Sequence, residues 1–257
     1  MARIPLPPDL LTRPIAHRGL HDLPAGRPEN GLSAIHAAVA RGYAVEIDVQ
    51  LSRDRVAMVF HDETLERMTG RRDPLCELTA EELGRIRLAG VADTIPTLEQ
   101  ALALTRARVP LLIELKDRTG LLGETDGRLE EAVARVAGHL PGDVAFMSFN
   151  PAMVAAMADT APACARGLVT AAYDLESWAP LAARTCARLR AIPDYDATGS
   201  SFISHEVADL ARPRVAALKS AGAAILCWTV TSPEEESRAR RVADNITFEG
   251  YLPPVPS

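Results

Sequence analysis

Residues 44–50 read AVEIDVQ, and residues 111–117 read LLIELKD. In the first stretch Val45, Ile47 and Val49 alternate with Glu46 and Asp48; in the second Ile113 and Leu115 alternate with Glu114 and Lys116. Side chains along a strand point alternately to its two faces, so each stretch has one apolar face and one charged face. In a parallel barrel the apolar set packs against surrounding helices while the alternate set turns toward the barrel axis.

On either side of these stretches the chain keeps one rhythm. Strand-like runs at 14–17, 44–49, 111–116, 144–149, 167–170, 201–204, 224–230 and 245–249 alternate with helical patterns at 31–41, 98–106, 129–139, 151–159, 175–188, 214–220 and 233–242. Such alternation means a parallel sheet with helices outside it, and eight strands suit a closed TIM-type β/α barrel better than an open sheet. At 257 residues, one barrel domain accounts for positions 1–257. One stretch departs from the rhythm. A second apolar run, 56–60, follows Val49 so closely that it predicts a hairpin in place of a crossover helix. Residues 51–95 then read as an insertion after the second barrel strand, containing a short helix capped by Thr79 and Glu82.

Composition narrows the function. A formal net charge of -6 argues against a general nucleic-acid or anionic-membrane binder. Cys76, Cys164, Cys186 and Cys227 show no zinc-like spacing and read as reduced thiols, Cys227 in an apolar strand. Prolines interrupt the opening MARIPLPPDLLTRP, which has no signal-type apolar core, and no run approaches the roughly 20 apolar residues of a membrane span. The expected location is cytoplasmic.

Two carboxylates side by side at a barrel mouth repel each other and resist desolvation, and a divalent cation with oxygen ligands is the simplest compensation. Glu46 and Asp48 alone would more readily suit an acidic edge strand facing solvent. Glu114 adds a third oxygen ligand, and Lys116 either faces a bound phosphate or neutralises the acids; a structural Glu114–Lys116 pair is the alternative. His17 and His61 each end an apolar run beside a charged residue, as an acid/base pair would. Arg18 suits bidentate contact with phosphate, and Gly19 a close backbone approach or a sharp exit from the strand. These parts suit displacement at a phosphodiester.

The same residues belong to a longer series: AHRG (16–19), PEN (28–30), VEIDV (45–49), Asp54 within LSRDRVAMVFHDETLERMTG, LT and EL within 78–83, IPTLEQAL (95–102), IELK (113–116), SF (148–149) and WTV (228–230). In order and spacing this series resembles the glycerophosphodiester phosphodiesterases. The resemblance implies a barrel with a small insertion after its second strand. It implies one Mg²⁺ or Ca²⁺ ion on Glu46, Asp48 and Glu114, with His17 and His61 as acid and base. It further implies phosphate contacts from Arg18 and Lys116, support of the first loop by Glu29 and Asn30, and a pocket role for Trp228. The implied reaction releases glycerol 3-phosphate and an alcohol from a small glycerophosphodiester, by water or through a cyclic phosphate.

Three positions depart from the family pattern. Glu-Asn-Thr reads Glu29-Asn30-Gly31, Trp-Thr-Val-Asn ends in Thr231, and the final Thr-Asp-x-Pro is replaced by Thr247-Phe248-Glu249-Gly250. Phe248 and Trp228 are candidates for an apolar wall or for core packing. His21 and His205 are further candidates near the site, whereas His36 and His139 read as structural. Asp194, Asp196 and Gly199 read as a loop, and Arg238, Arg240 and Arg241 as a solvated helix face. Two other functions fit the same residues: a lysophospholipase D-like enzyme, favoured by a long apolar groove at Phe248 and Trp228, and a catalytically silent phosphodiester-binding barrel. An aldolase-type Schiff base at Lys116 is disfavoured, because Glu114 and Asp117 beside it raise a lysine's pKa.

Overall fold

The computed structural model describes residues 3–255. Its strands are β1 (Ile15–Ala16), β2 (Ala44–Leu51), β3 (Ala57–Val59), β4 (Leu111–Leu115), β5 (Val144–Ser148), β6 (Ala165–Thr170), β7 (Phe202–Glu206), β8 (Ala224–Val230) and β9 (Asn245–Phe248). The pairing order β1-β9-β8-β7-β6-β5-β4-β2 is closed by β1 against β2, and every pair in that ring is parallel. Eight strands therefore form a TIM barrel. β3 stands outside the ring, antiparallel to the end of β2 with Val49 opposite Val59, and it makes the hairpin read from the sequence.

The helices are α1 (Asp9–Thr12), α2 (Leu32–Ala40), α3 (Glu66–Thr69), α4 (Ala80–Leu83), α5 (Leu98–Thr105), α6 (Arg128–Ala137), α7 (Pro151–Thr160), α8 (Ala183–Arg190), α9 (Pro213–Ser220) and α10 (Pro233–Ala239). Val45, Ile47, Val49, Ile113 and Leu115 pack outward with Ile35, Leu98, Ala101 and Val133 in the layer between strands and helices. Inside the ring, Ile15, Ala44, Leu112, Ala145, Phe202 and Leu226 form a second core. Leu6 and Leu10 of the N-terminal segment join this core, and Asn245 Nδ2 donates to the carbonyls of Leu10 and Arg13 at 2.8 and 2.6 Å. The end of the barrel holding the strand N-termini is thereby filled with apolar side chains, and polar groups collect at the other end.

The insertion has a small core of its own, in which Met58, Phe60, Leu65, Leu75, Leu83, Leu88 and Ile95 are buried. Its helix α4 carries the capping box: Thr79 Oγ1 accepts from the Glu82 backbone N–H, and Glu82 accepts from that of Thr79.

The helix read over 175–188 forms only from Ala183. Pro180 cannot donate a helical hydrogen bond. Asp174 instead accepts from Ser177 N in a turn, and Trp178 packs back on Phe149 and Tyr173. Strand ends elsewhere shift by one or two residues.

Candidate active site

The ends of β1, β2 and β4, together with the turn after β3, bring the charged residues to one cavity of about 190 Å³. His17, Arg18, Glu46, Asp48, His61, Glu114 and Lys116 line one side of it, and Met147, Phe149, Val169 and Trp228 form an apolar side. Strand register accounts for the acids. Asp48 of β2 is directly paired with Glu114 of β4, and Glu46 lies two residues earlier on the same face of β2. Carboxylate oxygens of Glu46, Asp48 and Glu114 all lie within 4.8 Å of one another, and all three residues are buried.

Three buried acids at this spacing require compensation. Lys116 Nζ lies 2.8 Å from Glu114 Oε1 and 3.5 Å from Asp48 Oδ1. Arg18 Nε lies 3.3 Å from Asp48 Oδ2, while the Arg18 backbone N–H donates to Glu46 Oε2 at 3.0 Å. Burial would raise the pKa of Asp48, but Lys116, Arg18 and His61 hold it well below the usual carboxylate range. Glu46 goes the other way: burial, then the charges of Asp48 and Glu114, push it well above its ordinary value. Three acids thus face two cationic side chains, and Glu46 is the carboxyl whose charge is least favoured. An all-oxygen donor set lacking one positive charge fits a hard divalent cation.

Arg18 adopts a left-handed backbone (φ +54°) that turns the chain sharply out of β1. Gly19 continues the turn at φ +79°, and a Cβ there would lie 2.8 Å from the Ala34 carbonyl carbon in α2. Only glycine lets the loop pass so close to the helix. Glu29 accepts from Arg18 Nη1 at 2.7 Å and also binds Arg67 at 2.7 and 2.8 Å. Buried Asn30 donates to Asp48 Oδ2 at 2.9 Å.

Each histidine has a carboxylate at Nδ1. Asp62 Oδ1 lies 2.6 Å from His61 and is itself held by Arg67, and Glu249 Oε2 lies 2.7 Å from His17. Gln50 Nε2 donates to the carbonyls of Phe60 and Asp62, fixing the turn that carries His61. Burial lowers the pKa of His61, an effect only partly opposed by the charge of Asp48. Two hydroxyls complete the cavity wall. Ser204 Oγ and Thr247 Oγ1 are buried and have no hydrogen-bond partner among the described residues.

A family model described as the glycerophosphoryl diester phosphodiesterase family matches residues 17–244. The chain belongs to that family. Over 173 residues it is 30% identical to a glycerophosphodiester phosphodiesterase of Caldanaerobacter subterraneus, covering 64% of this chain and 69% of that one. It is 34% identical to the Bacillus subtilis protein YhdW over 131 residues, 48% of this chain and about half (51%) of that one. A phosphodiesterase of Oleispira antarctica, solved in complex with the product sn-glycerol-3-phosphate, superposes with a TM-score of 0.75 at 25% identity, covering 92% of both chains.

The barrel mouth thus gathers His17, Arg18, Glu46, Asp48, His61, Glu114, Lys116 and Trp228, with Glu29 and Asn30 one contact behind. Two other candidates lie elsewhere. Phe248 packs outward against Tyr43 and Tyr251, because the one-residue alternation of β9 turns Thr247 to the cavity and Phe248 to the helices. His205 is fully buried, held by Thr170 Oγ1 at 2.8 Å and Asp209 at 3.2 Å, facing away from the cavity that its neighbour Ser204 lines. His21 reaches Glu249 at 3.4 Å. His36 and His139 are exposed, as are Arg238, Arg240 and Arg241. All four cysteines are free, and Cys227 is buried in β8. Among the described residues, no helix is long and apolar enough to cross a membrane.

Sequence reasoning missed the roles of Glu249, Asp62 and Arg67. Asp62 carried a signal, as the residue directly after a candidate histidine. Glu249 lay in the segment noted only for departing from the family pattern.

Proposed function

We propose that this protein hydrolyses small glycerophosphodiesters to glycerol 3-phosphate and an alcohol, with one divalent cation, Mg²⁺ or Ca²⁺, on Glu46, Asp48 and Glu114. The supporting observation is the convergence of three buried carboxylates, two cationic side chains and two carboxylate-paired histidines on one cavity. A cation held there would supply polarisation of the phosphoryl oxygens and a lowered pKa for the attacking water, or for a substrate hydroxyl that closes a cyclic phosphate which water then opens.

The chain's own groups do the rest. Arg18 and Lys116, each with free donors beyond its ion pairs, face the phosphate oxygens and counter the charge of the pentavalent transition state. One imidazole takes the proton from the nucleophile as its oxygen bonds to phosphorus; the other gives a proton to the departing alkoxide. Burial favours the neutral ring of His61, the form that accepts a proton. Glu29 and Asn30 hold Arg18 and Asp48 in place. Trp228 closes the apolar side with its indole N–H donating to Ser204 O at 3.0 Å.

With Phe248 in the outer core, the apolar side is confined to Met147, Phe149, Val169 and Trp228. That favours short deacylated diesters over lysophospholipids. Free cysteines and an acidic balance favour a reducing cytoplasmic setting and a small-molecule partner over nucleic acid. The test is a panel of glycerophosphodiesters and lysophospholipids with the native protein, His17→Ala and His61→Ala. Release of glycerol 3-phosphate from short diesters, lost in both variants, supports the reading. Turnover of lysophospholipids alone would replace it with the lysophospholipase D-like activity, and metal binding without any turnover with the silent barrel.

A further inference from the structure

Sheet register sets His17 and Glu249 side by side. β1 and β9 are parallel neighbours in which Ala16 pairs with Phe248, and His17 N donates to Phe248 O at 3.0 Å. The next residue on each strand is His17 on one and Glu249 on the other. The Glu249 backbone N–H donates to Val230 O at 3.0 Å, so the carboxylate springs from anchored backbone at the barrel rim. From there Oε2 meets His17 Nδ1 at 2.7 Å and His21 Nε2 at 3.4 Å. The contacts to His17 and then His21 keep Glu249 ionised, with its pKa well below the ordinary value.

We infer that Glu249 is the positioning residue for His17, fixing the ring's orientation and tautomer so that Nε2 is left to exchange protons in the cavity, with His21 steadying the carboxylate from its other side. This inference rests on the proton-transfer role proposed for His17. An ionised carboxylate only accepts hydrogen bonds, so Nδ1 must carry the hydrogen toward Glu249. In the neutral ring Nε2 then holds the lone pair. When Nε2 takes a proton, the carboxylate faces the positive charge that forms. Without Glu249 the ring can rotate or adopt the opposite tautomer, and the proton is presented from the wrong atom. His61 has the same arrangement from the adjacent residue Asp62. His17 draws its partner from the far end of the sequence, in the segment that replaces the final family signature.

The experiment compares Glu249→Gln, Glu249→Asp, His17→Ala and the His17→Ala/Glu249→Gln double variant on a short glycerophosphodiester with saturating Mg²⁺. Thermal melts of each confirm folding, and two-bond ¹H–¹⁵N spectra report the His17 tautomer. Glu249→Gln is expected to lower kcat by about 100-fold with little change in KM, and to give mixed tautomer signals. Glu249→Asp should recover part of the loss, and the double variant should be no slower than His17→Ala alone. If Glu249→Gln stays within about threefold of native kcat while His17→Ala is inactive, the positioning role is overturned and the role of His17 stands. If His17→Ala itself stays active, the proton-transfer reading falls, and this inference with it.

Discussion

Asn30 and Asp48 grip each other twice: Asn30 Nδ2 donates to Asp48 Oδ2 at 2.9 Å, and the Asp48 backbone N–H donates to Asn30 Oδ1 at 3.3 Å. Both residues are essentially solvent-free. The pair locks the first loop to β2 and orients one of the three carboxylates. Asn30→Ala removes a hydrogen bond to a buried charge, with an expected stability loss of about 1–3 kcal/mol by chemical denaturation. Divalent affinity, followed by calorimetry, should weaken by about 10- to 100-fold, as when a ligand loses its orienting partner. Unchanged affinity would show that Asp48 needs no such support.

Lys116 separates charge balance from metal holding. Lys116→Met leaves Glu114 and Asp48 without the cation now 2.8 and 3.5 Å away. The metal-free protein should lose several kcal/mol, of the order of about 3–5, because buried charge is left uncompensated. Divalent ions should restore most of that loss in a thermal melt. Turnover of a phosphodiester should nevertheless fall by about 100-fold or more, since the phosphate loses a counter-charge that the bound ion does not replace.

The barrel, its hairpin and the acids on β2 and β4 were legible because a period of two leaves no choice of face. Once Val45, Ile47 and Val49 go to the helices, Glu46 and Asp48 must go inside. The Glu249–His17 contact was not legible, because nothing local joins residues 232 positions apart; only closure of β9 on β1 makes them neighbours. Of the two roles open to Phe248, core packing is the one the structure shows, against Tyr43 and Tyr251. The same period of two decides it: Ile246 and Phe248 go to the helices and Thr247 to the cavity. The helix read over 175–188 failed at Pro180, whose missing N–H outweighed the apolar spacing around it.

Glu46 gives the site a pH signature. Its pKa is raised well above the ordinary 4.5, first by burial and then by Asp48 and Glu114. A group whose pKa is raised on folding contributes stability that is fully present below its ordinary value of about 4.5. That stability is lost as pH rises through the raised value. In the metal-free state, the stability difference between native protein and Glu46→Gln should therefore move against the native protein as pH rises above the ordinary carboxylate range. Saturating Mg²⁺ should reverse that trend, because the cation stabilises the carboxylate the proton leaves behind. Proton release on metal binding, read from calorimetry in buffers of different ionisation enthalpy, checks the same point.

Thr247 offers opposite effects on stability and function. Its hydroxyl is buried at the cavity wall with no partner among the described residues. Thr247→Val removes an unsatisfied polar group at similar shape, so the melting temperature should rise, by an amount corresponding to about 1 kcal/mol. If the hydroxyl meets substrate, KM should rise by about 5- to 10-fold in the same variant. A variant that is both more stable and unchanged in KM would remove Thr247 from the substrate site.

One titration decides whether Glu46, Asp48 and Glu114 hold a divalent cation required for phosphodiester cleavage. Chelated protein is titrated with Mg²⁺, and separately with Ca²⁺, while glycerol 3-phosphate release from a short glycerophosphodiester is followed, with Glu46→Gln run in parallel. Turnover should be absent before addition and recover saturably with at least one of the ions, and recovery in Glu46→Gln should be weaker by at least about 100-fold or absent. Full turnover in the chelated protein, or recovery in Glu46→Gln indistinguishable from native, would contradict a required cation at these residues.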